Sequence, residues 1–394
     1  MRVLLTDGNE RATLAAARSL VAAGYDVHVI SHKRFSLAGA SRGVRSHLIT
    51  PDPLQDPVGY AVAVGTVAAR CQAAVLLPVT DPAVEALLEY RGSLPEEVRI
   101  ALPDLACYRA AADKVALISL AAAAGLAVPQ SVVVRSPADV GMPIPDSWFP
   151  CVVKSHRSVV REERRRRSLP VTFVADPRGC ERTLRALPAG AFPVLVQRRV
   201  RGPGEGLFLL RWQGRTVALF AHRRLREKPP AGGVSVYRES IPIPPELGEA
   251  GERLLASLNW NGVAMIECKR DERTGRHVLI EINGRLWGSL QLAIDAGVDF
   301  PALLVRCVLG GEVPVQGPYR VGVRSRWFWG DLDHLYLRLT RSAAALQLEA
   351  PSTSRLGALV EFLRFRPGRD RAEVWRWRDP APFLLETLQR LGVA

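Results

Sequence analysis

Two glutamates and an asparagine lie close together in the segment from Gly262 to Gly288, GVAMIECKRDERTGRHVLIEINGRLWG. Glu267 and Glu281 each fall in a predicted strand, and a short turn joins the two strands, so they can pair as a hairpin. Residues i and i+2 of a strand face the same side, so Glu281 and Asn283 point together, and Glu267 joins them if the hairpin pairs. Three converging oxygen ligands suit a hard divalent cation such as magnesium, which also coordinates phosphate oxygens.

The neighbours of these acids favour a functional site over a solvated surface. A single glutamate in a strand is usually exposed. Here each acid interrupts an apolar run, VAMIEC or VLIEIN, in which an unpaired charge is costly. Arg285 follows two residues after Asn283 and can offer a forked donor to a phosphate or a carboxylate. The segment therefore predicts a site for an anion and its counter-cation.

The elements that position this segment alternate between strands and helices. Residues 2–6 form an apolar strand, residues 11–23 an alanine-rich helix ended by Gly24, and residues 27–30 a second strand. This βαβ pattern predicts a parallel sheet near the N-terminus. Later strands at 207–212 and 216–221, around Gln213-Gly214-Arg215, predict an antiparallel hairpin. The fold class expected is α/β, a Rossmann-like parallel sheet followed by α+β subdomains.

The first turn, Asp7-Gly8-Asn9-Glu10, excludes a dinucleotide site of the usual kind. Such a site needs GxGxxG so that the backbone can approach the pyrophosphate, and this turn has one glycine.

Composition narrows the class of protein further. The net charge of +14 raises the question of nucleic acid, but only five of the 53 basic residues are lysines and the arginines are spread over the whole length. No nucleic-acid-binding motif accompanies them, so we expect a basic enzyme that attracts anionic ligands. The six cysteines are scattered without CxxC pairs, which favours a reducing cytoplasm. No apolar run reaches the length of a membrane span, and no membrane partner is expected.

The segment LIEINGRLWGSLQLAIDAGVDFP resembles the metal-binding end of the ATP-grasp superfamily, particularly its carboxylate–amine ligases and the branch similar to carbamoyl phosphate synthetase. The family usually has E-x-N-P-R, and this chain has Gly284 in place of the proline. The resemblance implies that Glu267, Glu281 and Asn283 bind Mg²⁺, with Mn²⁺ as an alternative. It also implies that Arg285 steadies the transferred phosphoryl group.

Other residues resemble the family's nucleotide-binding positions. Lys114, at the start of a predicted helix, and Lys154, at the end of the strand FPCVVK, resemble its two ATP-binding lysines. Gln197 and Val200 resemble the strand beside the adenine, and Glu205 resembles the acid that accepts from the ribose hydroxyls. For each charged residue, a solvated surface position is the alternative.

Two further segments resemble parts of the family that face the phosphates and the substrate. Within residues 222–237, Arg223 and Lys228 are the candidate anion contacts. Residues 155–170 stand where the family has a mobile glycine-rich loop over the phosphates, but here the predicted loop is rich in arginine and has no glycine. Its arginines can clamp the triphosphate, or the loop can be solvated.

The resemblance implies a cytoplasmic, ADP-forming ligase that activates a carboxylate with ATP for attack by an amine or thiol. We expect a Rossmann-like domain at 1–107, an ATP-grasp domain at 108–310 (a smaller lid-bearing part at 108–200 and a metal-binding part at 201–310), and a helical extension at 311–394. The aromatic residues in 327–336 can serve as core or as a homodimer contact. The alternatives are an ATP-binding protein without ligase turnover and a basic nucleic-acid-binding protein.

Overall fold

A computed structural model of the chain describes residues 1–162, 165–313, 315–348 and 353–393. Its first sheet is parallel, with strand order β3-β2-β1-β4-β5. The strands are β1 (Arg2–Leu5), β2 (Asp26–Ser31), β3 (Val44–Ile49), β4 (Val75–Leu77) and β5 (Arg99–Ile100), and the helices α1 (Arg11–Ala22), α2 (Pro57–Cys71) and α3 (Asp81–Glu89) connect them. The predicted α/β class with a parallel N-terminal sheet is confirmed.

Local chemistry fixes the ends of these helices. The Asp56 carboxylate accepts from the Gly59 N–H at the start of α2, and Pro57 occupies its first turn. The Thr80 hydroxyl caps α3 in the same way. Gly24 follows α1 with φ of 84°, a left-handed conformation that glycine adopts without steric cost. The caps therefore set where the chain re-enters the sheet.

A second, antiparallel sheet has the order β10-β7-β11-β6. In chain order this part contains α4 (Leu105–Ala112), α5 (Lys114–Ala123), β6 (Ser131–Val134), β7 (Cys151–Ser155), β8 (Val159–Glu162), β9 (Arg165–Ser168), β10 (Thr172–Val174), α6 (Pro177–Arg185) and β11 (Val194–Arg198). One face of the sheet packs on α6, with Val153, Val194 and Leu184 in its small core.

The third sheet has seven strands in the order β16-β15-β12-β13-β14-β17-β18. Its strands are β12 (Gly204–Trp212), β13 (Arg215–Lys228), β14 (Val234–Ser240), β15 (Gly262–Arg270), β16 (His277–Asn283), β17 (Arg324–Arg326) and β18 (Asp370–Ala372). The helices around it are α7 (Pro245–Ser257), α8 (Leu290–Ala296), α9 (Phe300–Val308), α10 (Phe328–Thr340), α11 (Arg355–Leu363) and α12 (Ala381–Arg390).

The two faces of this sheet have different surroundings. Leu207, Leu209 and Ile266 point into a core shared with α5 and α7. Residues of opposite parity, such as Phe208 and Met265, point into a core shared with α1, α8 and α9. This alternation follows from the strand period of two residues. At one end of the sheet, the face that carries Phe208 and Met265 is left open for polar side chains.

Three sequence predictions need correction. The sequence predicts a loop at 155–170, but β8 and β9 pair within it as an antiparallel hairpin, with residues 163–164 outside the described part. Strand β13 continues to Lys228 instead of ending near 221. The region 311–394 is not purely helical, because β17 and β18 extend the seven-stranded sheet; residues 314, 349–352 and 394 of that region lie outside the described part.

The aromatic residues near 327 begin a helix, as predicted. Trp327 precedes α10, and its indole N–H donates to Glu386 of α12 at 2.8 Å. Trp329 donates to the Thr387 hydroxyl at 3.1 Å. Among the described residues, no helix is both long enough and apolar enough to cross a bilayer.

Candidate active site

A cleft of about 650 Å³ lies between the antiparallel four-stranded sheet and the seven-stranded sheet. The smaller sheet and the segment after it contribute Lys154, Gln197 and Val200 to its lining. The larger sheet and the segment after it contribute the remaining predicted residues of the lining, which are Lys228, Glu267, Glu281, Asn283 and Arg285. The fold thus brings together side chains that are up to 131 positions apart in sequence, from Lys154 to Arg285.

The paired strands β15 and β16 place the two acids side by side. Glu267 is the direct partner of Glu281, and Met265 is the partner of Asn283. Their neighbours Ile266 and Ile282 point to the opposite face and into the apolar core. The three oxygen-bearing side chains therefore share the cleft face of one hairpin.

Asp81, at the start of α3, holds Arg285 in place. The Nε and Nη2 atoms of Arg285 both donate to Asp81 Oδ2, at 3.0 and 2.9 Å. The Tyr108 hydroxyl donates to the other Asp81 oxygen at 2.9 Å. Arg285 Nη2 also donates to Asn283 Oδ1 at 3.0 Å, so the N-terminal part of the chain orients the arginine against the hairpin.

Burial and charge act differently on the two acids. Burial raises the pKa of Glu267, since the opposing effect of the Arg224 guanidinium does not outweigh desolvation. Burial acts on Glu281 in the same direction, but the ammonium groups of Lys114 and Lys154 outweigh it and lower its pKa. Two carboxylates in register repel each other, and a cation between them would relieve that repulsion.

The donor set fits a hard divalent cation. Within the described residues, no group of three or more His, Cys, Asp and Glu side chains is arranged to hold a metal ion. Glu267, Glu281 and the Asn283 amide oxygen would supply three oxygen ligands from one face. Mg²⁺ commonly takes few protein ligands and completes its shell with phosphate oxygens and water.

The two predicted lysines approach Glu281 from different sides. Lys154, on β7, is 7% exposed and lines the cleft. Burial lowers its pKa to about 8, and Glu281 opposes that shift. Lys114, at the start of α5, lies in a narrow adjoining cavity, where its ammonium donates to Ser158 Oγ at 2.9 Å and lies 3.8 Å from Glu281 Oε2.

The other end of the cleft is mainly apolar. Its lining there is contributed by Pro129, Val152, Val171, Phe173, Val200 and Ile280. Gln197 donates from its amide to Ser131 Oγ at 2.9 Å, which fixes the side chain on β11. An apolar lining of this kind suits an aromatic base.

Glu205 and Arg223 lie outside the cleft lining, contrary to the roles expected for them. Glu205 is 2% exposed, and its oxygens accept from Arg223 Nε at 3.0 Å and contact His277 Nε2 at 2.9 Å. Glu205 is paired with Cys268, the residue after Glu267, and Arg223 is paired with Glu205. The side chains of Glu205 and Arg223 therefore point to the face of the sheet opposite to Glu267. Lys228 does line the cleft, and its ammonium pairs with Asp333 of α10.

Arg224 is a cleft residue that sequence reasoning missed. Its Nη2 lies 2.6 Å from Glu267 Oε2, and its Nη1 donates to Glu227 Oε1 at 2.9 Å. The sequence pattern ends the strand near 221 and gives no signal for Arg224; because β13 continues to Lys228, strand parity places Arg224 on the face opposite to Arg223. Its carboxylate partners Glu267 and Glu227 hold its pKa above the usual range despite burial.

The β8–β9 hairpin is attached to α3, away from the main cleft. Arg166 is buried, and its Nη2 pairs with Glu89 Oε2 at 2.7 Å. Its backbone N–H donates to Leu54 O at 2.7 Å. From the segment 155–170, only Pro170 contributes to the described lining of the main cleft.

Comparisons with known proteins concern the family and the fold of the chain. A family model described as ATP-grasp in the biosynthetic pathway with Ter operon matches residues 193–329. A search of curated proteins found no match. The matched residues include β12 to β16 and therefore the acidic hairpin.

Several solved structures share the fold over about four-fifths of the chain. The L-amino acid ligase from Bacillus licheniformis is 15% identical, with a TM-score of 0.61, and the match covers 82% of this chain and 78% of that one. Biotin carboxylase from Campylobacter jejuni is 13% identical, with a TM-score of 0.63 and coverage of 82% and 74%. N5-carboxyaminoimidazole ribonucleotide synthetase from Thermus thermophilus is 17% identical, with a TM-score of 0.59 and 81% coverage of each chain. The resemblance inferred from the sequence is thus confirmed, and this chain has the ATP-grasp fold.

Proposed function

We propose that this protein is an ADP-forming ligase that uses ATP to activate a carboxylate, which an amine (or a thiol) then attacks. The observation that carries the proposal is the pairing of Glu267 with Glu281 on the cleft face, between Lys154 and Arg285. Two partly buried acids in register, with cations on either side, suit a metal-bound triphosphate. The L-amino acid ligase among the similar structures supports the same reaction class.

The nucleotide is proposed to lie along the cleft. Its base would occupy the apolar end near Gln197 and Val200, and its phosphates would reach Lys154 and Lys114. Glu267, Glu281 and Asn283 would hold Mg²⁺, with Mn²⁺ as the alternative. The metal, when bound, supplies charge neutralisation of the phosphate oxygens.

The protein side chains then act by binding and orientation. A substrate carboxylate oxygen attacks the γ-phosphorus, ADP leaves, and an acyl-phosphate forms. The amine attacks the acyl carbon, inorganic phosphate leaves, and the nitrogen loses a proton. Arg285, held by Asp81, faces the position where negative charge accumulates on the transferred group.

We further propose a domain division, a cellular compartment and partners for the protein. The chain is divided into a Rossmann-like part at 1–107, an ATP-grasp part at 108–310 and an extension at 311–394. The protein works in the cytoplasm, which its six unpaired cysteines support. Its partners are small carboxylates and amines, and residues 327–336 offer a surface for a homodimer.

Two measurements test the proposal in order. Calorimetry with a non-hydrolysable ATP analogue and Mg²⁺ tests nucleotide binding, and ADP release over a panel of carboxylates and amines tests turnover. Hydroxylamine in place of the amine would trap the acyl-phosphate as a hydroxamate. Binding without ADP release over the panel favours an ATP-binding protein without ligase turnover, and no binding at all overturns the proposal.

A further inference from the structure

We propose that the end of the cleft formed by His222, Arg224, Ser235 and Trp287 binds a second, oxygen-bearing anionic group of the carboxylate substrate. This inference rests on the proposed function and names the class of acid that the site selects. The favoured substrate is a dicarboxylate, or an acid with a comparable acceptor group, and not an acid that ends in an ammonium group.

The first observation is a set of buried polar atoms that lack partners among the described residues. They are both ring nitrogens of His222, Nε of Arg224, Oγ of Ser235 and Nε1 of Trp287. His222 and Trp287 are each 1% exposed, and Ser235 is 8% exposed. Buried polar atoms are nearly always hydrogen-bonded in folded proteins, so several orphans in one place indicate a missing ligand.

The second observation is that these four side chains belong to one site. All four line the same cleft as the acidic hairpin. The rings of His222 and Trp287 both pack on Phe208, with centroid distances of 4.7 and 4.4 Å. Arg224 follows His222 by two residues on β13, and Ser235 lies on the adjacent strand β14.

The hydrogen-bonding capacity of these unpartnered atoms favours a ligand group that accepts hydrogen bonds. Arg224 Nε and Trp287 Nε1 are donors only, and the Ser235 hydroxyl donates or accepts. Burial, with the charges of Arg224 and Arg238, lowers the pKa of His222 well below its usual value, so the neutral ring offers one donor and one acceptor. Donors therefore outnumber acceptors, and a carboxylate can satisfy several of them at once.

Three cations line this end of the cleft, and each of them, Arg11, Arg224 and Lys228, also contacts a carboxylate. The cations of Arg11 and Lys228 lie 3.8 and 5.8 Å from the Trp327 ring centroid. Glu227 and Glu267 are the nearby acids of the lining, and Arg224 contacts both of them, through Nη1 and Nη2. An ammonium group would face the unpartnered donors Arg224 Nε and Trp287 Nε1, which disfavours its binding.

Three four-carbon acids test the proposal as probes. Succinate, butyrate and 4-aminobutyrate are titrated by calorimetry into the full-length protein with Mg²⁺ and a non-hydrolysable ATP analogue. We expect succinate to bind at least about tenfold more tightly than either of the others, the effect of one charge-assisted hydrogen bond. Equal affinities, or no binding of succinate beside a bound nucleotide, overturn the inference and leave the proposed function standing.

Two conservative variants locate the preference in this site. Trp287→Phe keeps a ring against Phe208 but removes the N–H together with part of the buried indole, whereas Ser235→Ala removes only the hydroxyl. Each should reduce the preference for succinate over butyrate several-fold while nucleotide affinity stays unchanged; thermal unfolding should stay unchanged in Ser235→Ala and shift to lower temperature in Trp287→Phe, which loses buried ring atoms. Ser257→Ala is the matched control, because it removes a hydroxyl at the C-terminal end of α7, outside the cleft lining. A preference unchanged in both variants would overturn the assignment, and failure of the wild type to bind the nucleotide would instead overturn the proposed function.

Discussion

Arg224 Nη2 lies 2.6 Å from Glu267 Oε2, on the cleft face of the seven-stranded sheet. The guanidinium neutralises one of two adjacent, partly buried acids, and the other, Glu281, faces the ammonium groups of Lys114 and Lys154. The protein thus compensates both carboxylates with its own cations. A divalent ion that binds this pair must compete with Arg224 for Glu267.

Arg224→Met tests this competition. Without its partner, Glu267 becomes a buried, uncompensated carboxylate, so the variant should lose about 3 kcal/mol of unfolding free energy in metal-free buffer. The same loss of competition should make Mn²⁺ stabilise the variant more than the wild type. Thermal unfolding with and without Mn²⁺ measures both effects.

Arg223→Met is the matched control, since Arg223 precedes Arg224 and faces the other side of the sheet. We expect a small loss of stability and an unchanged response to Mn²⁺, because Glu205 keeps its contact with His277. If Mn²⁺ stabilises both arginine variants equally, the competition at Glu267 is contradicted.

Glu267→Gln and Glu281→Gln should each weaken binding of Mg²⁺ with a non-hydrolysable ATP analogue by at least about tenfold, because the amide keeps the shape but loses the charge that holds the cation. Glu205→Gln changes an even more buried acid on the opposite face and should leave the affinity within about twofold. Calorimetry compares the three variants. A loss confined to Glu205→Gln would restore the ribose role expected from the sequence and contradict the metal site.

The pKa of Lys154, lowered to about 8 by burial, predicts two opposite responses to pH. The unfolded chain holds this proton up to the usual lysine range, so between pH 8 and about 10 the unfolded state binds more protons and Lys154 contributes a rise in stability with pH. Nucleotide affinity should instead fall as pH rises through 8, because the neutral amine no longer attracts phosphate.

Calorimetry from pH 7 to 9, in buffers of different ionisation enthalpy, should show proton uptake on nucleotide binding near pH 8. Lys154→Arg keeps the charge at all these pH values and should abolish that uptake. Uptake that persists in the arginine variant would assign the proton to another group.

Part of the site follows from the sequence pattern alone. The convergence of Glu267, Glu281 and Asn283 was predictable, because strand parity and a short turn determine which side chains share a face. The same parity, extended along β12 and β13, selects Arg224 over Arg223. The sequence pattern alone ends β13 near 221, because the apolar run stops there, and so it does not place either arginine on a strand.

Other features depend on contacts that no local pattern encodes. Arg285 and Asp81 are 204 positions apart, and only the packing of α3 against the hairpin joins them. Strand β18 has three residues, Asp370–Ala372, and pairs in parallel with a strand more than 40 positions earlier. The arginine-rich segment at 159–168 lacks apolar alternation, and ion pairs with Glu89 support its hairpin instead.

Asp81→Asn tests whether Asp81 positions Arg285. The asparagine amide lacks the negative charge with which Asp81 accepts from two guanidinium nitrogens, so Arg285 should lose its fixed orientation. We expect ADP release to slow by at least about tenfold with little change in nucleotide affinity, because the lost interaction matters for the transferred group. Tyr108→Phe removes one hydrogen bond to Asp81 and should have a smaller effect in the same direction. A variant that loses affinity but keeps its rate would place Arg285 in ground-state binding.

The docking of the β8–β9 hairpin on α3 leads to a last prediction. Arg166 is buried against Glu89, and Arg161 lies 3.6 Å from the other oxygen of that carboxylate, so one acid holds both strands of the hairpin. Glu89→Gln should release the hairpin and make its arginines sensitive to trypsin, because proteolysis requires local opening. Glu181→Gln, which breaks an exposed ion pair on α6, controls for charge.

Release of the hairpin should also affect the nucleotide site. Ser158, the residue directly before β8, accepts from the Lys114 ammonium, so its displacement should weaken nucleotide binding together with the loss of protection from trypsin. Calorimetry with the ATP analogue, run on the same Glu89→Gln and Glu181→Gln preparations, measures this second effect. Trypsin sensitivity without any change in affinity would show that the hairpin is a structural attachment, separate from the nucleotide site.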